Sequence, residues 1–302
     1  MMRHCRRRRA FHFRITAPVI ISIHHIKPDR LRHTFLTRIL IAMALVYSAI
    51  ISACTNSYNH RADETMARAE ALMEQHADSA LMALDSLDRK QLRGARRRAL
   101  HGLLLTQARD KNFIDQTSDT LIAPAVSYFD DSNDTYHRML SHYYLSRIRY
   151  YSNDYPSATS ELETAMELLH DDVPNEAYWR ARIHNDLAEM AYFTSNFSYS
   201  IRHQKEAIHL FDSLQLYTWE TDAYLSLIRS YQLIGKWELS EKMIDTVKTS
   251  CKLPHQDIKY KTAAIHNLVH KKEWNKAANL YLSLCDSTSG YNCDSFDYAF
   301  IS

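Results

Sequence analysis

Glycine and proline are scarce in this 302-residue chain, which contains 4 glycines and 6 prolines, about 3% of its residues. Average proteins carry roughly 12% of the two together. Folds that need many positive-φ positions are therefore disfavoured, among them β-sandwiches, propellers, glycine-rich phosphate loops and dinucleotide-binding crossovers. Long helices joined by short polar turns are expected instead, in a chain whose 46% apolar and 24% charged residues are typical of globular proteins.

Signatures of catalysis are also missing. The four glycines are isolated, at positions 94, 102, 235 and 290, so there is no Walker loop, nucleophile elbow or kinase glycine loop. Acid pairs such as Asp130 and Asp131 fall in predicted interhelical loops, where solvated helix caps are expected. No Cys-x-x-Cys pair supports a redox motif or a zinc ribbon. We therefore expect a protein that is not an enzyme and that binds no cofactor.

Positive charge is concentrated at one end of the chain. Residues 1–38 contain nine arginines and Lys27 against the single acid Asp29, a local net charge of +9. The remainder carries 27 basic and 34 acidic residues, so its net charge is near −7. Because phosphate binding needs a basic face, nucleic acid is not an expected partner.

An uncharged apolar run at residues 39–51 follows this basic segment and leads into Ser52, Ala53 and Cys54. Thirteen residues are fewer than the roughly 20 that cross a bilayer, so a signal peptide is favoured over a permanent anchor. The junction resembles a bacterial lipobox. This resemblance implies that Cys54 becomes the first mature residue and carries a fatty acyl chain such as palmitate. The alternative is a cysteine that follows an apolar core helix by chance.

One helical hairpin recurs four times, because residues 143–168, 185–210, 225–250 and 262–287 align without gaps. In each copy a polar turn is followed by an aromatic residue and, three positions later, by a small residue. The aromatic residues are Tyr155, Phe197, Trp237 and Trp274, and the small residues are Ala158, Ser200, Ser240 and Ala277. The spacings of 42, 40 and 37 residues fit a 34-residue helical pair with lengthened loops.

This pattern resembles the tetratricopeptide repeat (TPR) family, in which a leucine and a small residue lie in the first helix and alanines in the second. Leu145 with Ser146 fits the first-helix pair and Ala165 fits the second-helix alanine. Arg149 departs from the family's first-helix aromatic, and Val247 replaces the later alanine. With the lipobox, the chain is similar to TPR lipoproteins of the diderm bacterial cell envelope. An all-α, degenerate TPR-like α-solenoid of about five to six hairpins is implied.

The predicted organisation has six segments. They are a basic leader (1–33), a lipoprotein signal peptide (34–53), a linker (54–62), degenerate helical hairpins (63–135), TPR-like repeats (139–291) and the start of a further helix (292–302). The leader reflects either a start codon assigned too far upstream or a long cytosolic extension. Truncation at the carboxyl end is a further expectation.

First helices of such solenoids line a concave groove, the usual binding surface. The resemblance therefore implies a groove for a protein or peptide. The implied groove residues are Tyr143, Tyr144, Arg147, Tyr150, Tyr151, Asp186, Glu189, Tyr192, Phe193, Arg229, His266 and His270. The alternative is that half of the tyrosines pack against the neighbouring repeat. The Lys and Asn set that clamps carboxyl termini in chaperone-binding relatives is absent.

His266 and His270 are spaced to share a metal ion, but no third ligand is visible, so no metal site is expected. Cys285 and Cys293 are expected either to close a short loop by a disulfide or to be free thiols, and Cys251 is expected to be a free thiol.

The sequence thus predicts a noncatalytic, lipid-anchored scaffold that binds a protein or peptide partner. Its expected location is the cell envelope, on the outer membrane facing the periplasm. Two alternatives stay open: the sensor half of a truncated or split transcriptional or signalling regulator, and a glycan-binding outer-membrane lipoprotein.

Overall fold

The structure, a computed structural model, describes residues 30–251 and 253–287, with side chains described for 38–47, 57–251 and 253–284. Every regular element within these residues is a helix, which confirms the all-α prediction. Residues 1–29 of the predicted leader and the predicted further helix at 292–302 lie outside the described residues. By its internal contacts the chain divides into two units, residues 1–54 and 55–302.

Twelve α-helices and one 3₁₀ turn, Arg89–Gln91, make up the described part of the chain. The α-helices are α1 (Arg30–Leu72), α2 (Ala77–Asp85), α3 (Ala95–Lys111), α4 (Ala123–Asp130), α5 (Thr135–Tyr151), α6 (Tyr155–Glu167), α7 (Glu176–Phe193), α8 (Phe197–Ser213), α9 (Tyr217–Leu233), α10 (Trp237–Val247), α11 (Pro254–His270) and α12 (Trp274–Ser287). They follow one another as six pairs, each with an odd-numbered first helix and an even-numbered second helix. Six pairs agree with the five to six hairpins expected.

In the first unit, the described side chains are those of residues 38–47, which lie in α1. Its apolar side chains are exposed, among them Leu40, Met43 and Tyr47. Over the described residues, no helix combines the length and the apolar character needed to cross a bilayer.

The predicted linker at residues 54–62 is wrong in its conformation, because these residues are helical and belong to α1. Asn59 is buried, and its side-chain oxygen accepts a hydrogen bond of 3.0 Å from the Arg93 amide. The Tyr58 hydroxyl accepts a bond of 2.8 Å from the Asp88 amide. Polar side chains that satisfy backbone groups of a neighbouring loop stabilise the helix here, where polarity alone indicated a tether. The other segment boundaries stay predictions.

The four repeated hairpins are confirmed. Each predicted aromatic residue is the first residue of a second helix: Tyr155 of α6, Phe197 of α8, Trp237 of α10 and Trp274 of α12. The small residues three positions later are all buried. Ser200 lies so close to the first helix that its hydroxyl donates a bond of 2.8 Å to the Ala188 carbonyl. A larger side chain would prevent this approach.

A left-handed residue closes the turn of each of these hairpins. The four residues are Asn153, Ser195, Gly235 and Lys272, with φ between 60° and 71°. This conformation lets the next amide bond back to the first helix, as the Asp154 amide does to the Arg149 carbonyl at 2.9 Å. Asparagine, serine and lysine thus take a place that glycine fills most easily, which is how the chain manages with so little glycine.

Gly102, in the middle of α3, has a different role. A Cβ atom there would lie 2.3 Å from the Leu121 carbonyl oxygen, so only glycine lets the loop before α4 approach this closely.

The apolar core is divided into four clusters. The largest extends from α1 to α7, and three smaller clusters follow: one from α7 to α9, one from α9 to α11, and one between α11 and α12. The first three clusters each join consecutive pairs, as expected for a repeat protein, and the fourth lies within the last pair.

Candidate partner-binding groove

Cavities follow the first helices along the chain. The first cavity, of about 400 Å³, is lined from α1, α3, α5, the start of α7 and the α8–α9 turn, and we call it the aromatic cavity after Tyr136, Tyr178 and Trp179. The second, of about 220 Å³, lies among α7, α8, α9 and α11, and we call it the charged cleft after Glu189 and Arg229. A third, of about 210 Å³, lies between α9 and α11. Together they form the candidate groove.

Four predicted groove residues share one register position in consecutive first helices. They are Arg147 in α5, Glu189 in α7, Arg229 in α9 and His266 in α11. Glu189 and Arg229 line the charged cleft, and Arg229 and His266 line the third cavity. The repeat alignment therefore places three of the predicted residues, Glu189, Arg229 and His266, at cavities of the candidate groove.

The Arg147 guanidinium is already paired with other side chains of the protein. Its Nε donates to Asp110 at 3.1 Å, and its Nη2 donates to the Tyr151 hydroxyl at 3.1 Å. Burial raises the pKa of Tyr151, since its phenolate would be desolvated. At this end of the groove, the Arg147 charge is therefore neutralised by Asp110.

Tyr143 and Tyr144 correct the prediction, because they lie in the core at 1% and 2% exposure. Both pack edge-on against Trp179, with ring centroids 5.2 and 6.5 Å away. Asp186 is also buried, where it accepts a hydrogen bond of 2.8 Å from the Tyr143 hydroxyl. The physical reason is the large indole from the next pair, which covers both rings. None of the three side chains is open to a partner.

Arg182 is a residue of this region that sequence reasoning missed. Its Nη2 donates to the Tyr143 hydroxyl at 2.8 Å, and its Nη1 donates to the Tyr178 hydroxyl at 3.1 Å. Its guanidinium carbon lies 4.2 Å from the centroid of the Trp219 ring. Tyr178 lines the aromatic cavity and Trp219 lines the charged cleft, so Arg182 connects the walls of both.

The other predicted aromatic residues gather near the hairpin turns. Phe193 is 43% exposed and stacks on Tyr155 with ring centroids 4.8 Å apart. The Arg229 guanidinium lies 4.2 Å from the centroid of the Tyr192 ring. Tyr150 donates a hydrogen bond of 3.3 Å to Glu189. Only Phe193 among these rings is largely exposed.

The two predicted histidines are not brought together with a third metal ligand. His270 stacks on Trp237 at 4.2 Å, while His266 is exposed on the groove side. Over the described residues, no group of three or more histidine, cysteine or acidic side chains is placed to hold a metal ion.

Cys251 is free and half-buried, and burial raises the pKa of its thiol to about 11. The side chain of Cys285 and the whole of Cys293 lie outside the described residues, so their pairing stays a prediction.

Neither Glu189 nor Arg229 forms an ion pair with the described residues. The Arg147 and Arg229 guanidinium groups are nevertheless near enough to favour the charged form of Glu189 and so to oppose the rise in its pKa that burial causes. The only hydrogen bond to Glu189 from the described residues comes from the neutral Tyr150 hydroxyl. Burial, together with the nearby Asp186 carboxylate, raises the pKa of Glu189. Arg229 has the Tyr192 ring but no carboxylate partner within the described part of the chain. One acid and one base, each without an ion pair in the part of the chain that the structure describes, therefore line the same cleft.

Asp222, in contrast, is fully paired at the other wall of the charged cleft. Its carboxylate accepts bonds from His255 at 3.2 Å, Gln256 at 3.3 Å and Lys259 at 3.3 Å. This cluster ties α9 to α11.

Solved structures with a similar course of the chain are repeat proteins. One is a variant of the kinesin light chain TPR-like repeats of Podosopora anserina, with 16% identity and a TM-score of 0.47 over 64% of this chain and 95% of that chain. Another is BtubC (BKLC) from P. vanneervenii, with 13% identity and a TM-score of 0.48 over 79% of this chain and 93% of that chain.

No protein-family model and no curated protein matches the chain. Both TM-scores are below 0.5, and the paired helices are defined by the contacts within this chain.

Proposed function

We propose that this protein is a noncatalytic, TPR-like scaffold that binds a peptide segment of a protein partner in the groove of its first helices. The observation that carries the proposal is the charged cleft, where Glu189 and Arg229 line solvent-accessible space and neither forms an ion pair with the described residues. Charges left unpaired at a partly buried surface are stabilised when a partner supplies the opposite charge.

The aromatic faces of this cleft favour a peptide over a glycan. Sugars stack on open aromatic faces, but Arg229 covers Tyr192 and Arg182 covers Trp219. Phe211 also stacks on Trp219, with ring centroids 6.0 Å apart. Side chains that offer hydrogen bonds and charge fit these walls better than a pyranose ring does.

The test is selection of a random dodecapeptide library on the immobilised full chain, followed by affinity measurement on the enriched peptides. Ser226→Trp fills the charged cleft and is expected to weaken binding at least tenfold. Ser160→Trp is the matched control, because Ser160 is exposed on the second helix α6. Failure of selection, equal binding by the Ser226→Trp variant, or enrichment only from an oligosaccharide array would each overturn the proposal.

We further propose that Cys54 carries a lipid that anchors the protein in the cell envelope, on the outer membrane facing the periplasm. Two observations support this. The lipobox-like residues 51–54 follow a basic and apolar segment, and the boundary between the two units falls directly after Cys54.

Metabolic labelling with an alkyne analogue of palmitate tests the anchor. Label is expected on the wild-type protein and on the Cys251→Ala control, and it should disappear in Cys54→Ala. Incorporation that Cys54→Ala leaves unchanged would refute lipidation at this residue.

A further inference from the structure

The charged residues that line the groove differ in whether they form ion pairs with the described residues. Arg147 is paired with Asp110, and Asp222 is paired with Lys259. Glu189 and Arg229 are the exceptions in the charged cleft, although each occupies the register that Arg147 occupies one or two pairs earlier. A groove whose other charges are neutralised internally leaves these two to decide what binds.

The Glu189 carboxylate needs a cation. Among the described residues this half-buried carboxylate has a single neutral hydroxyl donor and no ion pair, so it loses hydration that the more distant Arg147 and Arg229 charges offset only in part. The buried side-chain oxygen of Gln204, which also lines the cleft, has no hydrogen-bond partner within the described residues. Both groups call for donors, which an ammonium or guanidinium group and a peptide N–H supply.

The Arg229 guanidinium would be stabilised by an anionic group. It is exposed, rests on the Tyr192 ring and donates no hydrogen bond to the described residues. Guanidinium groups bind carboxylates in a bidentate geometry that adds direction as well as affinity.

The spacing between the two helix positions follows from the repeat. Glu189 and Arg229 stand at equivalent positions of the neighbouring first helices α7 and α9. Packed helices lie roughly 8–10 Å apart. An extended peptide advances about 3.3 Å per residue, so side chains two or three residues apart span that distance.

We propose that the charged cleft selects an extended peptide that carries a basic side chain two or three residues from an acidic one. The basic group pairs with Glu189 and the acidic group with Arg229. This inference rests on the proposed peptide-binding function and specifies its ligand class.

The same random dodecapeptide library tests it, with separate selections on the full-chain wild type, Glu189→Gln and Arg229→Gln. The wild type should enrich peptides with Lys or Arg two or three positions from Asp or Glu. Glu189→Gln should lose the preference for the basic residue and keep the acidic one, and Arg229→Gln should do the reverse. Glu206→Gln, on the exposed face of α8, is the control that should keep both preferences.

A double-mutant cycle then measures the contact itself. Replacing the basic residue of an enriched peptide by norleucine should cost the wild type at least tenfold in affinity and should cost Glu189→Gln less than threefold. Peptides enriched without a charge pair, yet blocked by Ser226→Trp, would overturn this inference and leave the proposed function standing. Absence of any enrichment would overturn the proposed function instead.

Discussion

Removing the Tyr143 hydroxyl should destabilise the protein far more than its small size implies. This oxygen accepts a bond of 2.8 Å from Arg182 and donates one of 2.8 Å to Asp186, in a site that is 1% exposed. Tyr143→Phe leaves one donor of a guanidinium and one oxygen of a carboxylate without their partner. Hydrogen bonds to charged groups contribute about 1.5–3 kcal/mol each. Allowing for partial relaxation, the loss should be about 2–4 kcal/mol.

Tyr144→Phe is the matched control. Tyr144 is adjacent and equally buried, and its ring packs on the same indole of Trp179, but its hydroxyl makes no hydrogen bond with the described residues. The same substitution should therefore cost less than about 1 kcal/mol.

Urea denaturation followed by far-UV circular dichroism measures both variants. With a slope of roughly 2–3 kcal/mol per molar urea, the midpoint of Tyr143→Phe should fall by about 1 M. If the two variants shift the midpoint equally, or if Tyr143→Phe shifts it by less than about 0.2 M, the hydroxyl does not link the two charges in the way the distances indicate.

Three further predictions concern other parts of the chain. Gly102→Ala should destabilise the protein by about 1–3 kcal/mol in the same assay, because the new Cβ would overlap the Leu121 carbonyl oxygen. Burial and the neighbouring His184 lower the pKa of His203 to about 4. The contribution of His203 to stability should therefore be complete above pH 6.5 and should be lost as the pH falls toward 4. Urea titrations at pH 7 and 5 measure this loss, which His203→Phe should reduce. At pH 8 Cys251 should react with iodoacetamide about a hundredfold more slowly than an ordinary thiol, because burial raises its pKa to about 11. Peptide-resolved mass spectrometry measures the rate, and labelling of Cys251 as fast as that of an ordinary thiol would contradict the prediction.

The hairpins were predictable because their signals are local. An aromatic residue and a small residue at fixed spacing decide where a second helix starts and which face it packs, and both rules hold at Tyr155 and Ala158 as they do in the later pairs. The left-handed turn residues were predictable for the same reason, since the polar turn fixes their place in the chain.

The site was only partly predictable. Glu189 and Arg229 follow from the repeat register, but Tyr143 looks identical in sequence to a groove residue. Its burial depends on Trp179, which belongs to the next pair and precedes the aligned segment. Arg182 was missed because it also precedes the aligned segment, and the equivalent residue of the preceding pair is Leu140, which shows no charge there.

The division of the core into four clusters gives a bound peptide a mechanical role. The helices α7, α9 and α11 that line the charged cleft contribute to different clusters. In a repeat protein such clusters can open separately, each with its own free energy. A ligand that contacts all three helices would act as a cross-link, so that the pairs it contacts unfold together.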